Sequence, residues 1–317
     1  MKDARKEKIS VICTVFNESR SLPHLLHSLA AQSRKPDEVV LCDAGSKDAT
    51  PAIARQFRKK LHLRFIISRG ANIAQGRNTA IRAAHGPLIA SIDGGCIADQ
   101  HWLRNLLAIR QRTRADVIAG TFLPLASTRF GTVAGALVCP DIRTLPEDWP
   151  PSSRSALFTK AAWKRAGDYP EELYTAEDTV FNRRLKASGA RYAIARNAVV
   201  RWQQRETPRA LWKQFFLYGR GDGQVRSFSG FNGLRSLAVI AGQTLFVLAL
   251  IASLLLGRGL RILLLLLAFY LFYPAWRLSL RFPREPSVLI LAPAVQLIRR
   301  CAYHCGFLRG LFLKSRR

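Results

Sequence analysis

Acidic residues are scarce in this chain. Across 317 residues, 21 Asp and Glu face 49 Lys and Arg, giving a formal charge of +28 and a pI near 11.0. That scarcity excludes a charge-balanced protein and calls for an anionic neighbour: nucleic acid, lipid headgroups or a phosphorylated ligand. Cysteine is sparse too. Six thiols build no disulfide framework, and Cys301, His304 and Cys305 lack the second ligand pair of a zinc site. Cys13, Cys42 and Cys96 fall in apolar runs and read as buried thiols. Only eight strand-like residues follow MKDARKEK, so no signal peptide is expected and the start of the chain reads as cytoplasmic. Long Ser, Gly or Pro tracts are missing, and a hydrophobic content of 49% excludes polar disorder. Neither G-x-G-x-x-G nor G-x-x-x-x-G-K-[ST] occurs, so the phosphates of any nucleotide must be met by a metal, by arginines or by both.

What is present is a clear alternation of strand and helix. Ile9–Phe16 is a continuous apolar run, the pattern of a parallel strand buried on both faces. Leu22, Leu25, Leu26 and Leu29 recur at helical spacing towards Gln32. Val39–Cys42 reads as a second strand, and Thr50-Pro51 as an N-cap followed by proline at the first helical position. Leu63–Ser68 reads as a third strand, Ile73–Ala84 as a helix and Leu88–Ile92 as a fourth strand. The alternation predicts an α/β fold, a mostly parallel open sheet flanked by helices, with its ligand at the carboxyl ends of the strands. Those ends carry Asn17-Glu18, Asp43, Arg69-Gly70 and Asp93. Further on, Glu177–Ala187 reads as a helix, Tyr192–Ala195 and Val199–Trp202 as strand-like runs, and Pro208–Tyr218 as an amphipathic helix.

The charge divides unevenly. Residues 1–236 hold 38 basic and 20 acidic side chains, residues 237–317 hold 11 and 1. Leu237–Leu256 carries no charge over twenty residues, about 30 Å of helix. Ile262–Trp276 is a shorter apolar run with Arg261 and Arg277 at its ends. Val288–Ile298, followed by Arg299 and Arg300, reads as interfacial or re-entrant. The expectation is a catalytic domain over 1–236 and a membrane region over 237–317 with two C-terminal transmembrane helices, or three. Basic flanks place the protein in the cytoplasmic (inner) membrane as a multi-pass protein, its catalytic domain on the cytoplasmic side and anionic lipids as partners.

Several ordered blocks carry the chemistry. Thr14-Val15-Phe16-Asn17-Glu18 closes the first strand and Asp43-Ala44-Gly45-Ser46-Lys47-Asp48 the second. Gly76-Arg77-Asn78 lies on the helix before the fourth strand, and Ser91-Ile92-Asp93-Gly94-Gly95-Cys96 ends that strand. Ala176-Glu177-Asp178-Thr179 follows Tyr169-Pro170-Glu171. In this order the blocks resemble those of the family-2 glycosyltransferases, inverting enzymes of the GT-A fold that use nucleotide-diphosphate sugars. The resemblance covers about residues 8–225. It implies that Thr14, Phe16 and Glu18 line the nucleoside pocket, Thr14 standing where the family has proline. It implies that Asp43, with Gly45 and Ser46, accepts a base N–H, and that Arg77 beside Asn78 approaches the diphosphate. Asp93 takes the place of the family's D-x-D metal motif, so Mg²⁺ or Mn²⁺ is the implied cofactor. The second carboxylate of that motif is Gly95 here; Asp99 reads as a helix cap. Asp178 is implied as general base, with Glu177 beside it. Tyr218-Gly219-Arg220-Gly221 is similar to a block that precedes the membrane segment in relatives, and Arg220 is the candidate partner of the departing diphosphate. Plainer readings stay open: a turn with a helix cap for Asp43–Asp48, acidic residues in a first helical turn for Glu177-Asp178, and contact with lipid phosphates for Arg220.

The order Q-x-x-R-W of the processive synthases is absent, which favours transfer of a single sugar. The expectation is a membrane-associated inverting glycosyltransferase using an NDP-sugar, UDP-sugar favoured, and a lipid-linked or envelope glycan acceptor. A polyprenyl-phosphate glycosyltransferase is the nearest alternative. A non-catalytic basic membrane protein binding anionic lipid or nucleic acid is the alternative of another class. Scattered basic residues and carboxylates at strand ends weigh against nucleic acid.

Overall fold

Strand β1 (Ile9–Val15) has parallel neighbours on both edges, β2 (Glu38–Asp43) and β4 (Leu88–Ser91), and every residue but Thr14 is buried. Burial on two faces is why its sequence reads as an unbroken apolar run. Strand β3 (Leu63–Ile67) adds to the outer edge of β2, also parallel. The computed structural model describes residues 7–225 and 287–313. Contacts divide the chain into two units, Met1–Leu125 with Cys139–Gln203, and Ala126–Val138 with Gln204–Arg317.

In the first unit the sheet continues past β4 in a way the local sequence does not announce. The strands β5 (Cys96–Ala98), β6 (Val117–Leu125), β7 (Ala156–Thr159) and β8 (Tyr192–Gln203) complete the order β3-β2-β1-β4-β7-β6-β8-β5. β7 runs antiparallel to both β4 and β6, β8 is parallel to β6, and β5 is antiparallel to β8. The sheet is therefore mixed: β3-β2-β1-β4 is parallel as expected, and antiparallel pairing enters with β7 and β5. The runs Tyr192–Ala195 and Val199–Trp202 are likewise one strand, β8, whose register against β6 shifts between Ala119 and Thr121. The Thr121 hydroxyl donates to the Arg196 carbonyl within that irregularity at 2.9 Å, so the displaced backbone stays paired.

Helices α1 (Leu22–Ala30), α2 (Thr50–Gln56), α3 (Ile73–Ala83) and α4 (Trp102–Thr113) also belong to this unit, α1 and α3 starting where the sequence pattern starts them. A capping box fixes the start of α3: the Asn72 side chain accepts from Gln75 N–H while Gln75 Oε1 accepts from Asn72 N–H, each at 2.9 Å. Thr50 is no N-cap. It lies inside α2, and its hydroxyl oxygen accepts the Glu18 N–H at 2.8 Å. One core packs Ile12, Val40, Ile81, Ile89, Phe158, Trp163, Phe181 and Leu185 together.

The second unit holds α5 (Arg129–Val138), α8 (Pro208–Gln224) and α9 (Ser287–Leu311); α6 (Lys160–Arg165) and α7 (Glu177–Ala187) belong to the first. Val288–Ile298, expected to be interfacial or re-entrant, lies in the first part of α9. That helix meets α8 backbone to backbone: a Cβ at Gly219 would stand 1.9 Å from the Tyr303 carbonyl oxygen, and one at Gly306 2.0 Å from that of Phe216. Only glycine permits such an approach. Expected transmembrane helices and a multi-pass membrane location are corrected here. Among the described residues no helix is long and apolar enough to cross a membrane. Leu237–Leu256 and Ile262–Trp276, and the expected boundary at 236/237, lie outside the described residues.

Candidate active site

Parallel pairing sets Val15 opposite Asp43 and Ile12 opposite Ser91, so the chain leaves β1, β2 and β4 at a common end. Asn17 adopts a left-handed φ of 54° just past β1, a conformation Asn tolerates better than most residues. Its N–H donates to Ser46 Oγ at 2.8 Å, and its Oδ1 accepts Lys47 N–H at 2.9 Å. Ser46 N–H donates to the Asp43 carboxylate at 3.1 Å and its hydroxyl does so at 2.5 Å, across the turn that Gly45 makes with φ +96°. Asp48 accepts from Ser19 N–H and Thr50 N–H, each at 3.0 Å. The D-x-G-S-x-D block thus ties the β1 and β2 exits into one rim. Phe16 stands on that rim with 57% of its surface exposed, a flat apolar face of the kind on which a base stacks. Glu18 accepts from the Ser21 hydroxyl and lies against Gly94. The Thr14 methyl packs on α3 at Gly76, where a Cβ would come within 2.8 Å.

Helix α3 joins this rim to α7. Arg77 is buried; its Nη2 donates to Asp93 Oδ1 at 2.9 Å and its Nη1 to Glu177 Oε1 at 2.5 Å. Burial alone would lower the Arg77 pKa, but Asp93 and Glu177 outweigh it and hold the guanidinium charged. Burial pushes the Glu177 carboxyl up; Arg77 opposes that, and neighbouring Asp178 adds to it. Asn78, fully buried, donates to the Tyr169 carbonyl at 2.9 Å and to Glu171 at 2.8 Å, and accepts from Tyr169 N–H and Trp163 Nε1–H. The resemblance implies Arg77 at the diphosphate and Asn78 in the nucleotide-sugar site; here their polar atoms hold Asp93, Glu177 and the Tyr169–Glu171 loop in place. Ala176 then takes a left-handed φ of 65°, strained for alanine, and Asp178 follows half-buried in the first turn of α7. Arg220 is half-buried on α8 of the second unit.

Sequence reasoning missed Arg154. Because β7 returns antiparallel beside β4, pairing Ala156 with Ser91, Arg154, two residues before β7, lands near Asp93, two residues after β4. Arg154 Nε stands 4.0 Å from Asp93 Oδ2. Its guanidinium carbon lies 3.9 Å from the Trp202 ring centre and 5.5 Å from that of Phe122, a cation–π clamp built from the ends of β8 and β6. The only local sign is an arginine ahead of a short apolar run.

Comparison with known proteins names the chemistry. The family model described as Glycosyl transferase family 2 matches residues 10–130, which hold β1 through β6 and the Asp43 and Asp93 blocks. That match and the relatives below make the enzyme a glycosyltransferase. Glycosyltransferase AglE of Haloferax volcanii is 28% identical over 229 residues, 68% of this chain and 73% of that protein. In structure the glycosyltransferase is similar to Staphylococcus aureus TarS 1–349 in complex with UDP-GlcNAc, with TM-score 0.51, 23% identity and coverage of 67% and 65% of the two chains. It spans 34% of the full poly(ribitol-phosphate) β-N-acetylglucosaminyltransferase TarS in the sequence match. The mannosyltransferase PcManGT of Pyrobaculum calidifontis, in complex with GDP-Man and Mn²⁺, aligns with TM-score 0.63, 16% identity and coverage of 95% and 88%. Below 25% identity, these two structures establish the GT-A-like fold alone.

The divalent cation implied by the resemblance meets a donor set here that does not match it. Asp93 faces two guanidiniums, Gly95 offers no carboxylate, and Asp99 accepts His101 N–H in its own turn at 3.1 Å. Among the described residues no three His, Cys, Asp or Glu side chains gather to hold a metal.

Proposed function

We propose that the protein is an inverting glycosyltransferase that moves one sugar from a nucleotide-diphosphate sugar, UDP-sugar favoured, to a hydroxyl of a lipid-linked or envelope glycan. The observation that carries this reading is the union of Asp93, Arg77 and Glu177-Asp178 at one end of the sheet, beside the rim of Phe16, Glu18 and Asp43. Asp43 keeps lone-pair capacity beyond its Ser46 bonds for an imide N–H. Asp178 removes the acceptor hydroxyl proton as that oxygen attacks the anomeric carbon from the face opposite the diphosphate. Glu177, fixed by Arg77, holds the first turn of α7 and therefore the height of Asp178 above the sheet.

Incubation of the purified chain with a panel of UDP-, GDP- and dTDP-sugars and glycan acceptors, with mass spectrometry of the products, tests this. Asp178→Asn is expected to lower kcat by about a hundredfold or more, the scale of a lost general base, with the donor KM little changed. An Asp178→Asn enzyme that keeps most of its activity refutes the hydroxyl acceptor and points to a phosphate acceptor, which needs little base.

A further inference from the structure

We propose that Arg154 supplies the positive charge at the donor diphosphate that a divalent cation would supply if an acidic residue stood at Gly95. The inference rests on the glycosyltransferase reading above. Asp93, the one carboxylate at the metal-motif position, already has both oxygens facing guanidiniums: Arg77 at 2.9 Å and Arg154 at 4.0 Å. A cation placed on that carboxylate would meet two positive charges, one of them buried and unable to withdraw. The missing second carboxylate is no consequence of crowding, since a Cβ at Gly95 would have nothing within 4 Å.

Arg154 has the form the role requires. Stacked on Trp202 and flanked by Phe122, its plane is set before a ligand arrives, and its Nη1 donates to Ser152 Oγ at 2.9 Å. At 4.0 Å the contact with Asp93 is a loose one, which two phosphate oxygens can replace as a bidentate pair. The chemistry balances without a metal. As the acceptor oxygen bonds to the anomeric carbon, the bond from that carbon to the diphosphate oxygen breaks, and its electron pair stays on the diphosphate. Arg154 stabilises that charge and gives up no proton; the acceptor's proton goes to Asp178.

The test measures binding of UDP and GDP to the full chain by calorimetry, in excess EDTA and in excess Mn²⁺. The better-bound nucleotide should change its Kd by less than about threefold between the two conditions. Arg154→Gln should weaken it about tenfold or more, some 1.4 kcal/mol, while binding of the matching nucleoside stays unchanged. Arg154→Lys, which keeps the charge without the fork, should fall between. Gly95→Asp should make binding tighten with Mn²⁺. Wild-type binding that collapses in EDTA, or Arg154→Gln binding that equals wild type, overturns this inference and leaves the glycosyltransferase reading standing. No nucleotide binding in either condition overturns both.

Discussion

Replacing Arg77 by methionine tests the centre of the site most directly. The guanidinium is buried between Asp93 and Glu177, and the Glu177 side chain is itself nearly inaccessible. Removing one partner of a buried ion pair leaves the other uncompensated and costs about 3–5 kcal/mol, far more than a surface pair. Asp93 is more exposed than Glu177, so water takes over part of its charge and most of the penalty falls on Glu177. At about 4 kcal/mol, a unit of this size should melt about 8–16 °C lower.

The penalty should also depend on pH, with a determined sign. Burial already raises the Glu177 carboxyl in the wild-type protein, against the pull of Arg77. Without Arg77 that pKa rises further. A carboxyl whose folded pKa lies above its unfolded value contributes stability that is fully present below about pH 4.5 and is lost as pH rises through the folded pKa. Arg77→Met should therefore be least destabilising in acid and worsen towards neutrality. Urea titrations of wild type, Arg77→Met and Arg77→Met/Glu177→Gln across pH 4–8 measure this, with about 2 kcal/mol expected back in the double variant, where no buried charge is stranded. A penalty under about 1 kcal/mol, or one flat with pH, would refute the triad as the element that holds α7.

Two further outcomes follow from the same packing. Asn78→Ala strands the Trp163 and Tyr169 N–H groups and the Tyr169 carbonyl in a dry site; about 3 kcal/mol or more of stability should go, and kcat should fall through the displaced Tyr169–Glu171 loop with nucleotide affinity kept. Equal loss of nucleotide affinity in a binding titration would return Asn78 to the ligand. Gly219→Ala and Gly306→Ala should each cost about 1–3 kcal/mol by forcing α8 and α9 apart, and the pair should cost less than the sum, because one separation relieves both clashes. Strict additivity in chemical denaturation would refute a shared contact.

The sequence revealed most where structure is local. Strands β1 to β4 are buried runs and α3 starts at a capping box, so their limits fall within two residues of expectation, and α7 matches at both ends. Thr50 shows the limit of that method: a threonine before proline signals a cap, yet its oxygen serves Glu18 on another exit of the sheet. Antiparallel β7 was not legible, because a four-residue apolar run carries no mark of the strand it will join. Arg77 shows the same gap at the level of chemistry. An arginine beside phosphate-binding motifs suggests a phosphate partner and gives no sign that it also pairs with Glu177, 100 residues away.

These two gaps have one consequence for the reaction. Inserting β7 beside β4 sets Arg154 against Asp93, and turning Arg77 inward sets a second guanidinium on the same carboxylate. Asp93, Glu177 and Asp178 carry three negative charges if ionised, and Arg77 and Arg154 carry two positive ones. A diphosphate entering that cluster gains only if one guanidinium can turn from protein to ligand. Arg77 cannot, since both of its partners would be left charged and Glu177 would be buried unpaired. Arg154 can, because its clamp is aromatic and survives the exchange. The identity of the residue at position 95 then decides the electrostatics of the site: an acidic side chain there would favour a cation over the arginine, and glycine leaves the arginine in possession.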